Sequence, residues 1–217
     1  MSISYYKTLR SQGEAEIIVK RSLFIGHARP VETEEEAIAF IEEIKRRHKQ
    51  AAHNCSAYAV GDRNQRQKAS DDGEPGGTAG KPILEVIKHR QLQNTAIVVT
   101  RYFGGMLLGA GGLVRAYTDS AVAAVGAAGE VYRVLYTPVQ VTIDYSWLGK
   151  VENELRSRGI DYGDLGFADK VSVRCYPLAA EAERFAAWMT DLTAGQGEIR
   201  IETPEFLERE ELPQGID

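Results

Sequence analysis

Cysteine is nearly absent. Cys55 and Cys175 are the two in a chain of 217 residues, and they lie far apart in it. A disulfide-stapled scaffold is thereby excluded, and reduced thiols in a reducing compartment are expected. Long apolar runs are missing too: no stretch approaches the roughly 20 residues that cross a bilayer. Met1 to Arg10 shows no basic segment leading into an apolar core of the secretory kind. A cytoplasmic protein without membrane association is expected. There is no excess of cations, since the formal net charge is -5, and this argues against coating DNA through many Lys and Arg contacts to phosphate. Internal repeats and low-complexity tracts are likewise absent.

What is present is the composition of a folded globular protein: 43% hydrophobic residues with ten Tyr, six Phe and two Trp. The length suits two modest cores. Charge divides near Pro138. Residues 1–137 carry 18 Lys and Arg against 15 Asp and Glu, net +3, whereas residues 138–217 carry 8 against 16, net -8. The reading is a first domain over 1–137, a second over 138–208 and an acidic tail over 209–217. A nucleic-acid surface, if there is one, belongs on the first.

Residues 14–19 and 22–29 read as an antiparallel opening pair of strands. Thr33, followed by Glu34, Glu35 and Glu36, opens a helix whose apolar positions Ala37, Ile38, Ile41 and Ile44 recur at helical spacing up to Lys45, Arg46 and Arg47. A strand over 57–60 leads into a polar hairpin connection over 61–68. Thr78 is expected to cap a helix with Pro82 in its first turn, and 94–100 is a β-branched strand. A glycine-rich loop and an Ala-rich helix from Leu113 to about Ala128 follow. After a short, partly apolar linker over 130–138, strands over 139–145, 160–165, 170–175 and 198–205 with helices over 148–158 and 181–192 give the ferredoxin-like order βαββαβ. The class is α+β.

Two constellations carry the chemistry. The first, Asp71-Asp72-Gly73-Glu74-Pro75-Gly76-Gly77-Thr78-Ala79-Gly80-Lys81, gathers three carboxylates and four glycines before a helix. It could hold a hard cation, or it could offer backbone N–H groups to an anion; a tight loop with capping acids explains it as well. The second runs from Arg101-Tyr102-Phe103-Gly104-Gly105 through Leu108-Gly109-Ala110-Gly111-Gly112 to Arg115, Ala116 and Tyr117. Its spacing matches neither the dinucleotide fingerprint nor a P-loop, in which Pro82 would have to be a Ser or Thr. Low side-chain bulk beside Lys81, Arg101, Tyr102 and Arg115 suits close approach of a nucleic-acid backbone, with cations meeting phosphate and a ring stacking on a base. A packed helix start with solvated arginines is the plainer alternative. His53-Asn54-Cys55 supplies two metal-ligand types but no companion pair nearby, so neither a resident metal nor a cofactor is expected.

In His53-Asn54-Cys55-Ser56-Ala57-Tyr58, Asp71-Asp72-Gly73-Glu74-Pro75 with Thr78-Ala79-Gly80, and Val99-Thr100-Arg101-Tyr102-Phe103-Gly104-Gly105 through Leu108-Gly109-x-Gly111-Gly112-Leu113-x-Arg115-Ala116-Tyr117, the chain resembles the IMPACT/YigZ family. The match spans about 15–128. Gly76 departs from it: the family usually has Ser there, so no hydroxyl role can be carried over. The resemblance implies a first domain with the fold of the second domain of ribosomal protein S-five and a second resembling the last domain of elongation factor G. It also implies translation, since eukaryotic members regulate it by competing for the activator of a kinase that acts on an initiation factor. The expected function is a translation-associated binding protein, not an enzyme. It would contact RNA or the ribosome through Lys81, Arg101, Tyr102, Gly104, Gly105, Gly109, Gly111, Gly112 and Arg115. Two alternatives stand beside it: a phosphate-ligand enzyme or sensor, with a divalent cation at a loop site of His53, Asp71, Asp72, Glu74 and Thr78, and a regulator acting by protein–protein contact.

Overall fold

The structure is a computed structural model and describes residues 3–213 and 216. The chain divides into two compact units. One comprises Tyr6–Tyr132, and the other runs from Arg133 onward together with the first residues of the chain.

The first unit is built on five antiparallel strands: β2 (Gly13–Val19), β3 (Ser22–Pro30), β4 (His53–Val60), β5 (Arg66–Ser70) and β6 (Thr95–Tyr102), in the spatial order β2-β3-β6-β4-β5. Alternation along the central strands buries both faces. Phe24, Cys55, Ala57, Ile97 and Val99 meet helices α2 (Gly80–His89) and α3 (Ala110–Ala128), while Tyr58, Val60, Ala96 and Val98 meet α1 (Glu34–Arg47). Helix α1 starts as its sequence predicts, with the Thr33 hydroxyl accepting from Glu36 N.

In the second unit β8 (Val139–Ile143), α4 (Tyr145–Ser157), β9 (Asp161–Phe167), β10 (Val171–Tyr176), α5 (Ala182–Leu192) and β11 (Glu198–Ile201) form the βαββαβ arrangement, with the sheet ordered β11-β8-β10-β9. Its core is one sheet face, Val139, Val141, Ile143, Val171, Val173 and Cys175, closed by Val151 and Leu155 of α4 and Phe185 and Met189 of α5.

Several elements differ from the sequence reading. The expected linker over 130–138 contains a strand, β7 (Glu130–Tyr136), in which Val131, Val134 and Tyr136 are buried. It joins β1 (Tyr5–Leu9) and β12 (Glu205–Arg209) in a three-stranded sheet ordered β1-β7-β12. The strand expected over 198–205 is two strands in different sheets, parted at Pro204, which cannot donate to a ladder. Helix α3 begins at Ala110 instead of Leu113, because Gly109 turns at φ 75° and its carbonyl already accepts from Leu113 N. Of the tail expected to fray, Arg209 ends β12, and 214, 215 and 217 lie outside the described residues.

Candidate functional site

Strands β4 and β6 place His53 directly opposite Arg101. Residues facing each other across antiparallel strands share a face, here the one covered by α2 and α3. The loop between β5 and α2 closes over that end of the sheet, and Asp71 is its anchor. Its Oδ1 accepts from Ala79 N at 3.0 Å and Gly80 N at 2.8 Å, and its Oδ2 accepts from Gly77 N at 2.8 Å. Burial would raise the carboxyl's pKa, but the three amides outweigh it and hold the pKa below the ordinary value. Asp71 therefore caps α2 from nine residues away. Thr78 does not: its hydroxyl donates to Pro75 O at 2.6 Å, the bond of a turn, and Ala79 occupies the cap position without a side-chain bond.

Asp72 faces the other way, accepting from Asn54 N at 2.6 Å, and its carbonyl lies 2.8 Å from His53 Nδ1. Cys55 Sγ donates to Asp71 O at 2.9 Å. The acidic stretch is thus stitched to β4 at three successive residues. The next acid, Glu74, turns inward. Only 8% exposed, its Oε1 accepts from Arg101 Nη1 at 2.7 Å and from the Tyr117 hydroxyl at 2.7 Å, and His53 Nε2 stands 3.9 Å from the same oxygen. Arg101 is 5% exposed, with its guanidinium carbon 5.4 Å from the Phe24 ring centroid and 5.5 Å from that of Phe103; its Nε is buried without a partner among the described residues. Burial, followed by the neighbouring Cys55, pushes the Tyr117 hydroxyl above its ordinary pKa, and burial raises Cys55 to about 12. Neither is poised as a nucleophile or a base.

Above this buried floor runs the loop from β6 to α3. Gly104 passes so close to Arg21 and Ser22 that a Cβ would sit 2.0 Å from the Arg21 carbonyl carbon, and its N–H donates to Ser22 Oγ at 3.1 Å. Gly105 and Gly109 take positive φ, 82° and 75°. The loop presents Phe103, Met106 and Leu107 to solvent at 52%, 45% and 85% exposure, pinned by buried Leu108. Helix α3 then starts with Ala110-Gly111-Gly112 and no capping side chain, and a Cβ at Gly109 or Gly111 would meet nothing within 4 Å. Its first N–H groups lack intrahelical partners, as in every α-helix, and among the described residues no side chain caps them.

The predicted residues thus separate into four groups. His53, Asp71, Asp72, Glu74, Thr78 and Arg101 converge, most of them as the inner frame of the loop. Gly104, Gly105, Gly109, Gly111, Gly112 and exposed Arg115 form the outer rim. Tyr102 points to the opposite sheet face, where its hydroxyl lies 3.0 Å from His48 Nδ1. There Arg47 Nε donates to His48 Nε2 at 3.2 Å and Arg47 Nη2 lies 2.8 Å from Nδ1 of buried His27. Lys81, in the first turn of α2, is exposed beside a groove with Pro82, Val86, Val114 and Val122. Sequence reasoning included Phe103 and Tyr117 in the second constellation without giving either a role, and it did not single out Phe24; the signal for an inward Tyr117 was its place four residues after buried Leu113 on one helix face. Among the described residues, no three His, Cys, Asp or Glu side chains converge as cation ligands.

Residues 20–125 match the Impact N-terminal domain, and residues 141–196 match a domain of unknown function, DUF1949. The IMPACT family member YvyE of Bacillus subtilis is 46% identical over 204 residues, covering 94% of each chain.

The chain belongs to the IMPACT family.

Other relatives within the family include YigZ of Escherichia coli, 33% identical over 82% of this chain and 88% of that one, and Protein IMPACT of Oryctolagus cuniculus, 32% identical over 42% of this chain and 29% of that one. A solved structure titled as a hypothetical protein superposes with TM-score 0.60 at 28% identity, covering 93% of this chain and 98% of that one. No helix among the described residues is long and apolar enough to cross a membrane.

Proposed function

We propose that this IMPACT family chain is a translation-associated binding protein whose first unit contacts RNA or the ribosome through the β6–α3 loop. One observation carries the proposal: the loop that bears the exposed ring of Phe103 leads directly into the uncapped N-terminus of α3, with bare backbone at Gly109 and Gly111, and exposed Arg115 lies in the helix's second turn. A helix N-terminus with free N–H groups attracts phosphate, an adjacent ring stacks on an unpaired base, and a nearby guanidinium adds a phosphate contact. Arg101 is the wrong cation for direct contact, since Glu74 holds it inside; its part is to support Phe103 from beneath. The translational role implied by the family resemblance points the same way.

The test is sedimentation of the full chain with ribosomes and separated subunits across a salt series. Salt-sensitive association should be lost in a Phe103→Ala/Arg115→Ala variant, both positions being exposed. Unchanged association would remove this face from consideration. A protein-contact reading is favoured by a separate observation, the exposed Met106 and Leu107 at the loop tip. Apolar side chains of that kind suit a pocket on a ribosomal protein better than a phosphate backbone. Loss of binding in Leu107→Ser with Phe103→Ala unaffected would select that reading.

A further inference from the structure

A second place on the chain has the means to bind a ligand, and neither the family match nor the proposal above accounts for it. In the second unit a cavity of about 690 Å3 opens between the turn after α4, the start of α5 and the segment after β12. That volume lies within the range of small-molecule sites. Phe185 and Tyr136, each 5% exposed, lie at its base, and half-buried Trp188 and Tyr176 stand in its walls.

Cations collect on these rings. The Arg158 guanidinium stacks 4.1 Å from the Trp188 centroid, and that of Arg209 lies 4.8 Å from the Tyr136 centroid. Arg184 sits one helical turn before Trp188 on α5, with its side chain 81% exposed. This clustering runs against the local composition. Residues 138–217 hold 8 Lys and Arg against 16 acids, yet three of those cations line this one cavity with three acids, Asp161, Glu181 and Glu211. A lining that balances within a stretch of net charge -8 is locally hospitable to an anion.

The donors are not all used. Arg209 is engaged through all three of its nitrogens: its Nε donates to the Tyr136 hydroxyl at 3.1 Å, its Nη1 to Glu208 O at 3.2 Å and its Nη2 to Asp161 at 2.6 Å. That pairing neutralises Asp161 and makes Arg209 part of the frame. Arg184 bonds Glu181 through Nη2, leaving the rest of its five N–H donors for another acceptor. The nearest carboxylate to Arg158 is Glu154 at 3.6 Å, beyond hydrogen-bond reach. Arg158 and Arg184 therefore flank Trp188 with donors to offer, and the outer face of the Arg158 guanidinium continues the stack begun by the indole.

We propose that this cavity is a nucleotide-binding site, with a base stacked against Arg158 and the aromatic walls and its phosphate held by Arg158 and Arg184. Stacking on a ring or guanidinium plane accepts any base, and Arg–phosphate hydrogen bonds supply the second half of the recognition. Neither a purely apolar ligand nor inorganic phosphate alone would use both.

The nucleotide can be free or the end of an RNA strand, and calorimetry on the full chain separates the two. The probes are AMP, adenosine, inorganic phosphate and a hexamer of oligoadenylate. AMP should bind saturably, with adenosine and phosphate each roughly tenfold weaker or worse, as expected when two contacts act together. Arg158→Ala/Arg184→Ala should weaken AMP binding by at least about tenfold. Trp147→Phe should retain a fluorescence response on AMP addition, because the reporting indole is Trp188. Binding of the hexamer without AMP, lost in the same double variant, assigns the site to a strand end. Because both arginines are largely exposed, an unchanged thermal melt of the double variant will show that the fold survives. No saturable binding of AMP or hexamer, or binding indifferent to the double variant, overturns the proposal. Phe103→Ala/Arg115→Ala should leave AMP binding intact, so that failure here and failure of the ribosome-binding reading are distinguishable.

Discussion

Replacing Glu74 with Ala tests whether the acidic loop is a structural clamp. The carboxylate takes hydrogen bonds from Arg101 and Tyr117 on one oxygen, and it and the guanidinium are 8% and 5% exposed. Its removal leaves a buried guanidinium without its counter-charge, which costs about 3–5 kcal/mol in such pairs. It also strands the Tyr117 hydroxyl, worth about 1–3 kcal/mol. These overlap, so a loss near ~4 kcal/mol is expected, a large part of the roughly 5–15 kcal/mol that holds a domain together. Trp147 and Trp188 both lie in the second unit, so tryptophan fluorescence reports the wrong part of the chain. Amide hydrogen exchange is the suitable assay. Protection in β4, β6 and the first half of α3 should fall, while β8, β10 and α5 remain as they were. The double variant Glu74→Leu/Arg101→Met should cost less than Glu74→Ala alone, because it removes both charges together. A single-variant cost under about 1 kcal/mol, or a double variant worse than the single, would refute the clamp.

Asp71→Asn should destabilise by about 1–2 kcal/mol, as loss of a helix cap does. Because the folded pKa of Asp71 is lowered, its contribution is fully present above the ordinary carboxylate range and disappears as pH falls through the folded value, so the penalty measured by denaturation midpoint should vanish in acid. His27, fully buried, has its pKa lowered to about 4 by burial and then by Arg47. The unfolded chain therefore binds the extra proton first. Stability should be complete above about pH 6.5 and fall toward about pH 4 by about 3 kcal/mol, a slope that His27→Gln flattens. Gly104→Ala should be strongly destabilising because its Cβ meets the Arg21 backbone, whereas Gly111→Ala, in open space on α3, should keep or raise stability by about 0.5–1 kcal/mol in a thermal melt while weakening ribosome association. Cys55 and Cys175, both buried and raised to about 12, should resist a thiol reagent until denaturant is added.

The sequence conveyed the elements far better than it conveyed the direction of the charged side chains. Helix α1 was legible because Thr33, the acidic first turn and the basic last turn all act locally, and the βαββαβ order was legible from periodicity. Strands β1 and β7 were not. Their partners lie far away in sequence, and a lone alternating segment such as Glu130–Tyr136 looks the same whether or not another strand covers its edge. The cap of α2 was misread for the same reason. Thr78 has the right chemistry at the right spacing, but Asp71 reaches the free amides from across the turn with a charge, which makes a stronger bond than a hydroxyl can.

The same geometry explains why the acid-rich motif looks like a metal or phosphate centre in one dimension. Three carboxylates within four residues suggest ligands converging outward, yet each is engaged separately within the fold. Asp71 holds amides of its own loop, Asp72 fastens β4, and Glu74 neutralises Arg101. An arginine neutralised in this way cannot serve as a phosphate contact, but it makes a rigid underside for Phe103. What then remains open to a partner is ring and bare backbone, with Arg115 as an exposed cation beside them. That combination suits the recognition by stacking and amide donation proposed above. It also predicts an ordering of effects: variants of Glu74 and Arg101 should lose stability first and binding as a consequence, while Phe103→Ala and Gly111→Ala should lose binding with stability intact. Measuring both quantities on the four variants would separate clamp from contact, and binding loss confined to the clamp variants would move the partner elsewhere on the chain.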